Sequence, residues 1–421
     1  MICEVLSAIA ILAALWWSFS RKQLKTVHGN VQPGFEAVQR KFSAMVQQDN
    51  EGAALAVLHR GQVVVHLFGG YANREKNQSW NEDTMAVAYS TTKIWAGLTS
   101  AILAGRGLLN YDEKVSTFWP EFTENGKGDA TVRDILDHRA GLITFGREFG
   151  LEEANDLDAM STLIEAATPH WSPGSCRGYH ALTYGFLVDQ VIRRLHPKGY
   201  TIQQIYQEEI WEQGIDFSIG SGNLDERRIA HIANPSVLQS IIAHARKPLK
   251  FLNALKCHFS RGGLDLMSAS YPYFLGIMRM DSMPYNDPAV RRLPSLSCLG
   301  IGTAVGFAKA IHQVFKKHMI PDSVWKILSE PTATEEDIVL AEEKSFGHGF
   351  IYARHPVRKE DWIIRIIGNG LQIVEMDVQD EVITVMLRNG LRAGEDGLEE
   401  FEDMSKTIFQ LVRDRKCVSQ E

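Results

Sequence analysis

Segments with the composition of β-strands lie near both ends of this 421-residue chain, and a mainly helical region separates them. The first segment, residues 53–70, contains two apolar runs around Arg60-Gly61 and predicts a hairpin. Four later segments also have strand character: Phe350–Ala353, Trp362–Ile367, Gln372–Met376 and Val382–Leu387. The pattern predicts an α+β fold in which N- and C-terminal strands meet in one antiparallel sheet, flanked by helices and beside a mainly helical region.

Apolar residues at helical spacing predict the main helices. They fall over Phe35–Gln47, Tyr184–Leu195, Gly300–Phe315 and Phe401–Val412. A soft prior of about 150 residues per domain suggests two or three folding units. The expected division is an apolar segment (1–20), a linker (21–34), an α/β region (35–130), a mainly helical region (131–300) and a C-terminal α/β region that completes the sheet (301–421).

The N-terminal segment Ile2–Phe19 is almost wholly apolar and ends in paired tryptophans, with Arg21 and Lys22 following. Its length approaches the ~30 Å of a bilayer core at ~1.5 Å per residue. This pattern predicts a single-pass membrane anchor, with the body of the protein on the cytoplasmic side because the positive charges follow the anchor. A cleaved signal peptide is the alternative, since small residues at 18–20 offer a cleavage site.

The overall charge and the cysteines exclude several classes of function. A formal net charge of −7 without a long basic run argues against nucleic acid as a partner. The cysteines are odd in number and scattered, at Cys3, Cys176, Cys257, Cys298 and Cys417. They predict neither a disulfide framework nor a zinc site, and no metal or other cofactor is expected.

A serine followed three residues later by a lysine begins an apolar helical run at Ser90 and Lys93. Residues three apart share a helix face, so the ammonium of Lys93 can reach the hydroxyl of Ser90. A serine nucleophile needs such a partner to help remove its proton. An ordinary amphipathic helix capped by a serine is the alternative, because this motif also occurs by chance.

Three further features follow in a set order: the block Asp134–Leu142, the pair Trp171–Gly174 and Tyr179–Gly185, and a glycine-bearing strand near Gly368. Together with Ser90-x-x-Lys93 they make residues 35–415 resemble the serine β-lactamase-related family. The likeness is to class C-type lactamases, esterases of that fold and animal β-lactamase domain-containing proteins. The resemblance implies the β-lactamase/transpeptidase-like fold and a small-molecule or peptide-like carbonyl substrate.

The resemblance also implies roles for individual residues. Ser90 would be acylated by the substrate, while Lys93 and Tyr179 share the proton transfer. A phenol, with an ordinary pKa of ~10, becomes a useful base beside an ammonium, which stabilises the phenolate. His138 would tie loops together rather than catalyse, and His180 is a candidate for lining the pocket.

Two positions depart from the family pattern. Ala181 stands where the second motif usually carries an asparagine that binds the amide side chain of the substrate. Ile366 stands where the third motif carries a basic residue, two positions before Gly368, and Phe346–Gly349 lies too early to replace it. The oxyanion donors would be the main-chain amides of Ser90 and Asn369, which need no particular side chain. The departures therefore favour an uncharged, apolar ester, amide or lactone as substrate.

Other classes of protein compare less well with the sequence. A metallo-β-lactamase would need a His-x-His-x-Asp-His run, and an α/β-hydrolase a Gly-x-Ser-x-Gly elbow, and the chain contains neither. The remaining alternative is a membrane-anchored pseudoenzyme that keeps the fold for binding or self-association.

Overall fold

The computed structural model describes residues 25–235, 240, 245, 272–275, 283–393 and 396–418. Its main sheet contains β1 (Val27–Val31), β2 (Gly52–His59), β3 (Gln62–Asn73), β4 (Gln78–Ser79) and β8–β13, which are Ala333–Asp337, Glu342–Gly347, Phe350–Arg354, Trp362–Gly368, Gln372–Asp377 and Val382–Arg388. The strand order is β1-β3-β2-β13-β12-β11-β10-β9-β8, with β4 beside β3. Every pairing among these strands is antiparallel.

Strands from the two ends of the chain pair in the interior of the sheet. Strand β2 lies against β13 over seven residue pairs, from Ala53 opposite Arg388 to His59 opposite Val382. The predicted hairpin is present, and its turn residues Arg60 and Gly61 have φ values of 49° and 77°. Positive φ at both central residues suits a tight turn between twisted strands. The predicted α+β class and the meeting of N- and C-terminal strands are confirmed.

The helices cover both faces of the sheet. They are α1 (Glu36–Gln48), α2 (Ile94–Gly105), α3 (Val132–Leu136), α4 (Leu151–Asn155), α5 (Leu157–Ala166), α6 (Thr183–Leu195), α7 (Ile202–Ile205), α8 (Pro288–Arg292), α9 (Ala304–Lys316), α10 (Asp322–Ile327) and α11 (Leu398–Val418). Helices α1 and α11 share one core with alternate residues of β2 such as Leu55, while Ala56 faces the other core, with α2 and α9. Because strand side chains alternate between faces, apolar residues throughout β2 allow both layers to pack.

Some predicted elements differ from the observed ones. The helix predicted over Gly300–Phe315 begins only at Ala304, because Gly300–Gly302 forms β7 between β5 (Ala86–Val87) and β6 (Phe217–Ile219) in a small second sheet. A Cβ atom at Gly300 would lie 2.6 Å from Oγ1 of Thr92, so the close approach of β7 to Thr92 requires glycine. Strands β8 and β9 were not predicted, because their polar residues lack an apolar alternation. Strand β1 lies within the segment predicted as a linker.

The prediction of a membrane anchor is corrected. In the ranges given above, no helix is both long and apolar enough to cross a bilayer. The apolar helix α2, for example, has 12 residues, or about 18 Å at 1.5 Å per residue, well short of the ~30 Å required. The segment that motivated the prediction, residues 1–20, lies outside the described residues. Membrane localisation, and the cytoplasmic orientation derived from it, are therefore not retained.

A buried ion pair joins the C-terminal end of β13 to the end of α1. The guanidinium of Arg388 donates to the carboxylate of Asp49 over 2.6 Å, and both side chains are buried. Burial by itself would raise the pKa of Asp49, but the nearby Arg388 and Arg392 lower it below its ordinary value. Removing one partner of such a pair leaves the other charge buried and unpaired.

We expect Asp49→Ala to lower the free energy of unfolding by about 3–5 kcal/mol, since Arg388 would remain buried without its counterion. Urea unfolding at neutral pH, followed by circular dichroism, measures this change. The matched control is Asp129→Ala, which removes an exposed pair with Lys114 and should cost less than about 1 kcal/mol. Equal losses in the two variants would contradict the assignment.

Candidate active site

Ser90 lies in a 3₁₀ turn, Tyr89–Lys93, that leads directly into α2. Two side-chain hydroxyls form hydrogen bonds to main-chain carbonyls of this turn. Thr91 donates to the carbonyl of Ala88 over 2.7 Å, and Thr92 donates to that of Tyr89 over 2.6 Å. Tyr89 has a φ of 48°, in the left-handed region that side chains other than glycine seldom adopt. The turn sets Ser90 at the beginning of the helix and aims Lys93 back towards it.

The ammonium of Lys93 is buried, with 2 % of the residue exposed. It donates to Oγ of Ser90 over 3.2 Å, to the carbonyl of Ala181 over 2.8 Å and to the carbonyl of Ser297 over 2.7 Å. A lysine ammonium has three N–H groups, so each has an acceptor. These acceptors compensate for the loss of water around the charge.

Tyr179 comes from the loop before α6 and completes the group. Its hydroxyl donates to Oγ of Ser90 over 2.9 Å. The centre of its ring lies 5.0 Å from Nζ of Lys93. The structure therefore brings Ser90, Lys93 and Tyr179 together from two regions of the chain. The oxygen of Tyr179 is thus close enough to Ser90 for a proton to pass between them.

The end of β11 lies against the main chain of Ser90. A Cβ atom at Gly368 would be 3.1 Å from the amide nitrogen of Ser90 and 3.1 Å from the carbonyl oxygen of Ala88. The strand then turns through Asn369, and the next two residues, Gly370 and Leu371, both have a φ of 72°. This placement agrees with an oxyanion site between the Ser90 turn and the end of β11. The contribution of the Asn369 amide stays a prediction.

Ile366 lies on the same face of β11 as Gly368, because the two residues are two positions apart in a strand. It is 1 % exposed and belongs to the apolar core that also contains Tyr89. Ala181 is also buried, and only its carbonyl takes part in the polar contacts of Lys93. Neither position supplies a charge or a side-chain hydrogen bond to this site.

His138 and His180 bind main-chain groups beside residues 178–182, the Tyr179 loop. The Nδ1 of His180 donates to the carbonyl of Gly178 over 2.7 Å, and its Nε2 accepts from the amide of Leu142 over 2.9 Å. The Nδ1 of His138 accepts from the amide of His180 over 3.1 Å. Burial lowers the pKa of His180 to about 3 and that of His138 well below its ordinary value. Both imidazoles therefore hold the loop in their neutral form.

Two contributors to the site were not anticipated from the sequence. Ser297 offers its carbonyl to Lys93, while its hydroxyl accepts from the amide of Gly185 and donates to the carbonyl of Leu182, each over 2.7 Å. Asp337 accepts a hydrogen bond from the amide of Tyr179 over 3.1 Å. Main-chain acceptors leave no mark in the residue types, and Asp337 lies in a hairpin that the sequence did not predict.

A large cavity lies on the helical side of the Tyr179 loop, with a volume of about 970 Å³. Its wall includes Phe145, Phe149, Leu163, His170 and Thr183. Ser90, Lys93 and Tyr179 do not line it. Thr183 begins α6 four residues after Tyr179, which makes one stretch of chain common to the cavity and the serine site. Within the described part of the chain, no group of three His, Cys, Asp or Glu side chains could hold a metal ion.

Comparison with known proteins gives consistent matches. The model of the β-lactamase family matches residues 38–406. The esterase/β-lactamase LipL of Mycobacterium tuberculosis is 35 % identical over 196 residues, which are 45 % of this chain and 43 % of LipL. A β-lactamase of Escherichia coli is 22 % identical over 181 residues, 42 % of this chain and 45 % of that protein. The matched regions thus span less than half of each of these relatives.

Solved structures extend the likeness to nearly the whole chain. A penicillin-binding protein homologue from Caulobacter crescentus superimposes with a TM-score of 0.72 and 26 % identity, covering 92 % of this chain and 100 % of that one. A family VIII carboxylesterase superimposes with a TM-score of 0.73 and 22 % identity over the same shares. At that identity the second match shows the fold alone.

The lowered pKa values of His138 and His180 predict how stability depends on pH. Unfolded histidines bind protons below about pH 6.5, whereas these two remain neutral when folded. Stability contributed by these sites is therefore complete above that pH and is lost as the pH falls. Heteronuclear NMR of the imidazoles should show no titration of either ring between about pH 5 and 8. The urea-unfolded chain is the control, and titration of either folded ring in that range would contradict the assignment.

Proposed function

Because this chain belongs to the β-lactamase family, we propose that it is a serine hydrolase that forms an acyl intermediate on Ser90. The proposal depends on one observation: the hydroxyl oxygen of Ser90 accepts hydrogen bonds from Lys93 over 3.2 Å and from Tyr179 over 2.9 Å. Two such partners fix the direction of attack, and they place the phenol oxygen of Tyr179 within reach of the serine proton. The substrate would be an ester, an amide or a lactone.

In the proposed reaction, Tyr179 first gives up its proton, which reverses its hydrogen bond with Ser90. Oγ of Ser90 then attacks the carbonyl carbon while its proton passes to the phenolate oxygen of Tyr179. The main-chain amides of Ser90 and Asn369 would bind the oxyanion, and Lys93 holds the phenolate in place electrostatically. The bond to the leaving group then breaks, and that group takes the proton from Tyr179. Water attacks the acyl-serine by the same route and releases the acid. Loss of one oxyanion donor in other enzymes costs about 10²–10³ in rate.

The residues around the site support an uncharged substrate. Ile366 and Ala181 replace side chains that would bind a carboxylate and an amide, and both are buried. A carboxylate brought beside Ile366 would lose water without gaining a partner there. We propose that the apolar acyl group of the substrate extends into the cavity bordered by Thr183, four residues after Tyr179, whose wall also includes Phe145 and Phe149. Aromatic walls favour such a group through burial of apolar surface.

An inactive protein that serves for binding or self-assembly is a less well supported hypothesis than a serine hydrolase. A chain that no longer used its serine would have no need to hold three polar groups within hydrogen-bond distance in a buried setting. The hydrogen bonds between Ser90, Lys93 and Tyr179 therefore favour the hydrolase.

A fluorophosphonate probe, which reacts with activated serines, tests the nucleophile. We expect the purified protein to be labelled, and Ser90→Ala to lose labelling and hydrolysis of p-nitrophenyl butyrate by at least about 10³-fold, because the attacking oxygen is absent. The matched control is Ser100→Ala, ten residues later in α2, which removes a buried hydroxyl without a hydrogen-bond partner in the described structure. Labelling that persists in Ser90→Ala would overturn the proposal.

The exclusion of anionic substrates is testable at Ile366. We expect the wild type to prefer p-nitrophenyl butyrate to nitrocefin, which carries a carboxylate. In Ile366→His, the ratio of kcat/KM for nitrocefin to that for the ester should rise about 10-fold or more, since an N–H group that donates to a carboxylate gains about 1.4 kcal/mol or more. Ile364→His is the control, because Ile364 is buried on the same face two residues earlier. An equal change in both variants would contradict a role specific to position 366.

A further inference from the structure

The Tyr179 loop is bound from below by the turn between β8 and β9. Asp337 is the last residue of β8, and it is fully buried. Its Oδ1 accepts from the amide of Tyr179 over 3.1 Å, and from the amides of Val339 and Leu340 over 2.9 Å each. One carboxylate oxygen therefore holds its own turn in shape and fixes the main chain of Tyr179 against that turn.

The two segments also contact each other through their main chains. The amide of Ile338 donates to the carbonyl of Arg177 over 2.9 Å. Between Arg177 and Tyr179, a Cβ atom at Gly178 would lie 3.0 Å from a methyl carbon of Val339 and 2.4 Å from the ring of Trp171. The loop is thus enclosed on both sides at this point. There is no room for a side chain at position 178, so the turn between β8 and β9 restricts the position of the loop.

A second carboxylate of β8 joins the strand to the same region. Glu335 pairs with Arg139 and with Arg177, the latter over 3.4 Å. The buried Arg177 in turn donates to the carbonyl of Asp137 over 2.9 Å, and its guanidinium lies over the ring of Phe346 at 4.3 Å. These contacts fix the position of β8, an edge strand of the sheet, relative to the loop. Strand β8 can therefore help to fix the position of Tyr179.

The position of the phenol depends on this support because residues 178–180 belong to no helix or strand. No regular hydrogen-bond ladder sets their course, so tertiary contacts must do so. In catalysis, a displacement of about 1 Å can cost about 10²-fold in rate. A loop that carries a proton-transfer group therefore needs a rigid partner beneath it.

We propose that Asp337 is a positioning residue for Tyr179, a role that rests on the proposed serine hydrolase function. It acts through Oδ1 as a hydrogen-bond acceptor. Its Oδ2 has no hydrogen-bond donor among the residues that the structure describes. An asparagine, which offers an equivalent oxygen in the same place, can therefore replace it, whereas alanine cannot.

The test compares Asp337→Ala, Asp337→Asn and wild type in the hydrolysis of p-nitrophenyl butyrate. We expect Asp337→Ala to lower kcat by about 10²-fold with KM changed less than about twofold, because the phenol is displaced while substrate binding is retained. Asp337→Asn should keep kcat within about threefold of wild type. Asp189→Ala is the matched control: Asp189 is a partly buried carboxylate that accepts from the amide of Ile202 over 2.9 Å, and its loss should leave kcat unchanged.

A double-mutant cycle with Tyr179→Phe separates positioning from a general loss of structure. If Asp337 acts through the phenol, Asp337→Ala should lower kcat less than about twofold further in the Tyr179→Phe background. Multiplying effects would overturn the inference, as would full activity in Asp337→Ala. If that variant fails to fold, Asp337→Ser replaces it, since its shorter hydroxyl can hold the local turn but not reach Tyr179. A wild type without Ser90-dependent activity would instead refute the proposed function itself.

Discussion

The burial of one ammonium group is the constraint on which the site depends. Lys93 is removed from water and must give each of its three N–H groups an acceptor, or the charge could not remain there. The acceptors come from residues 90, 181 and 297, which lie far apart in the chain. Satisfying this charge therefore requires the α2 turn, the loop before α6 and the segment before β7 to meet at one point. Ser90 is positioned as part of the same arrangement.

The sheet supplies the rigid frame around this meeting point. Pairing of β2 with β13 joins the N- and C-terminal strands into one sheet. Gly368 at the end of β11 allows that strand to approach the Ser90 main chain. At the far edge, β8 carries Asp337 to the Tyr179 loop. Regular strands thus hold groups that lie in irregular segments, and two neutral, buried histidines brace the loop between them. The precision of the site comes from the frame rather than from the loops.

Under the proposed function, Ile366 and Ala181 would change which substrates bind rather than the reaction itself. Ser90, Lys93 and Tyr179, the groups proposed to act on the carbonyl, are held by contacts to main-chain atoms and to one another. These contacts survive the loss of a basic residue and an amide from the pocket wall. What disappears is the means to compensate a carboxylate, because a charge beside apolar, buried side chains has no partner. Changes in selectivity can therefore accumulate without dismantling the proton-transfer group.

The amino-acid sequence by itself determined the strands at both ends, the main helices and the order of motifs, because apolar periodicity and residue types are local properties. It also identified Ser90, Lys93 and Tyr179, which the structure brings into contact. Only the tertiary structure decided that Ser297 and Asp337 complete the surroundings of those groups, and that His180 binds main-chain atoms with both nitrogens. Such contacts depend on main-chain positions and on polar edge strands such as β8. Neither leaves a periodic signal, so their roles emerge only when distant segments pack together.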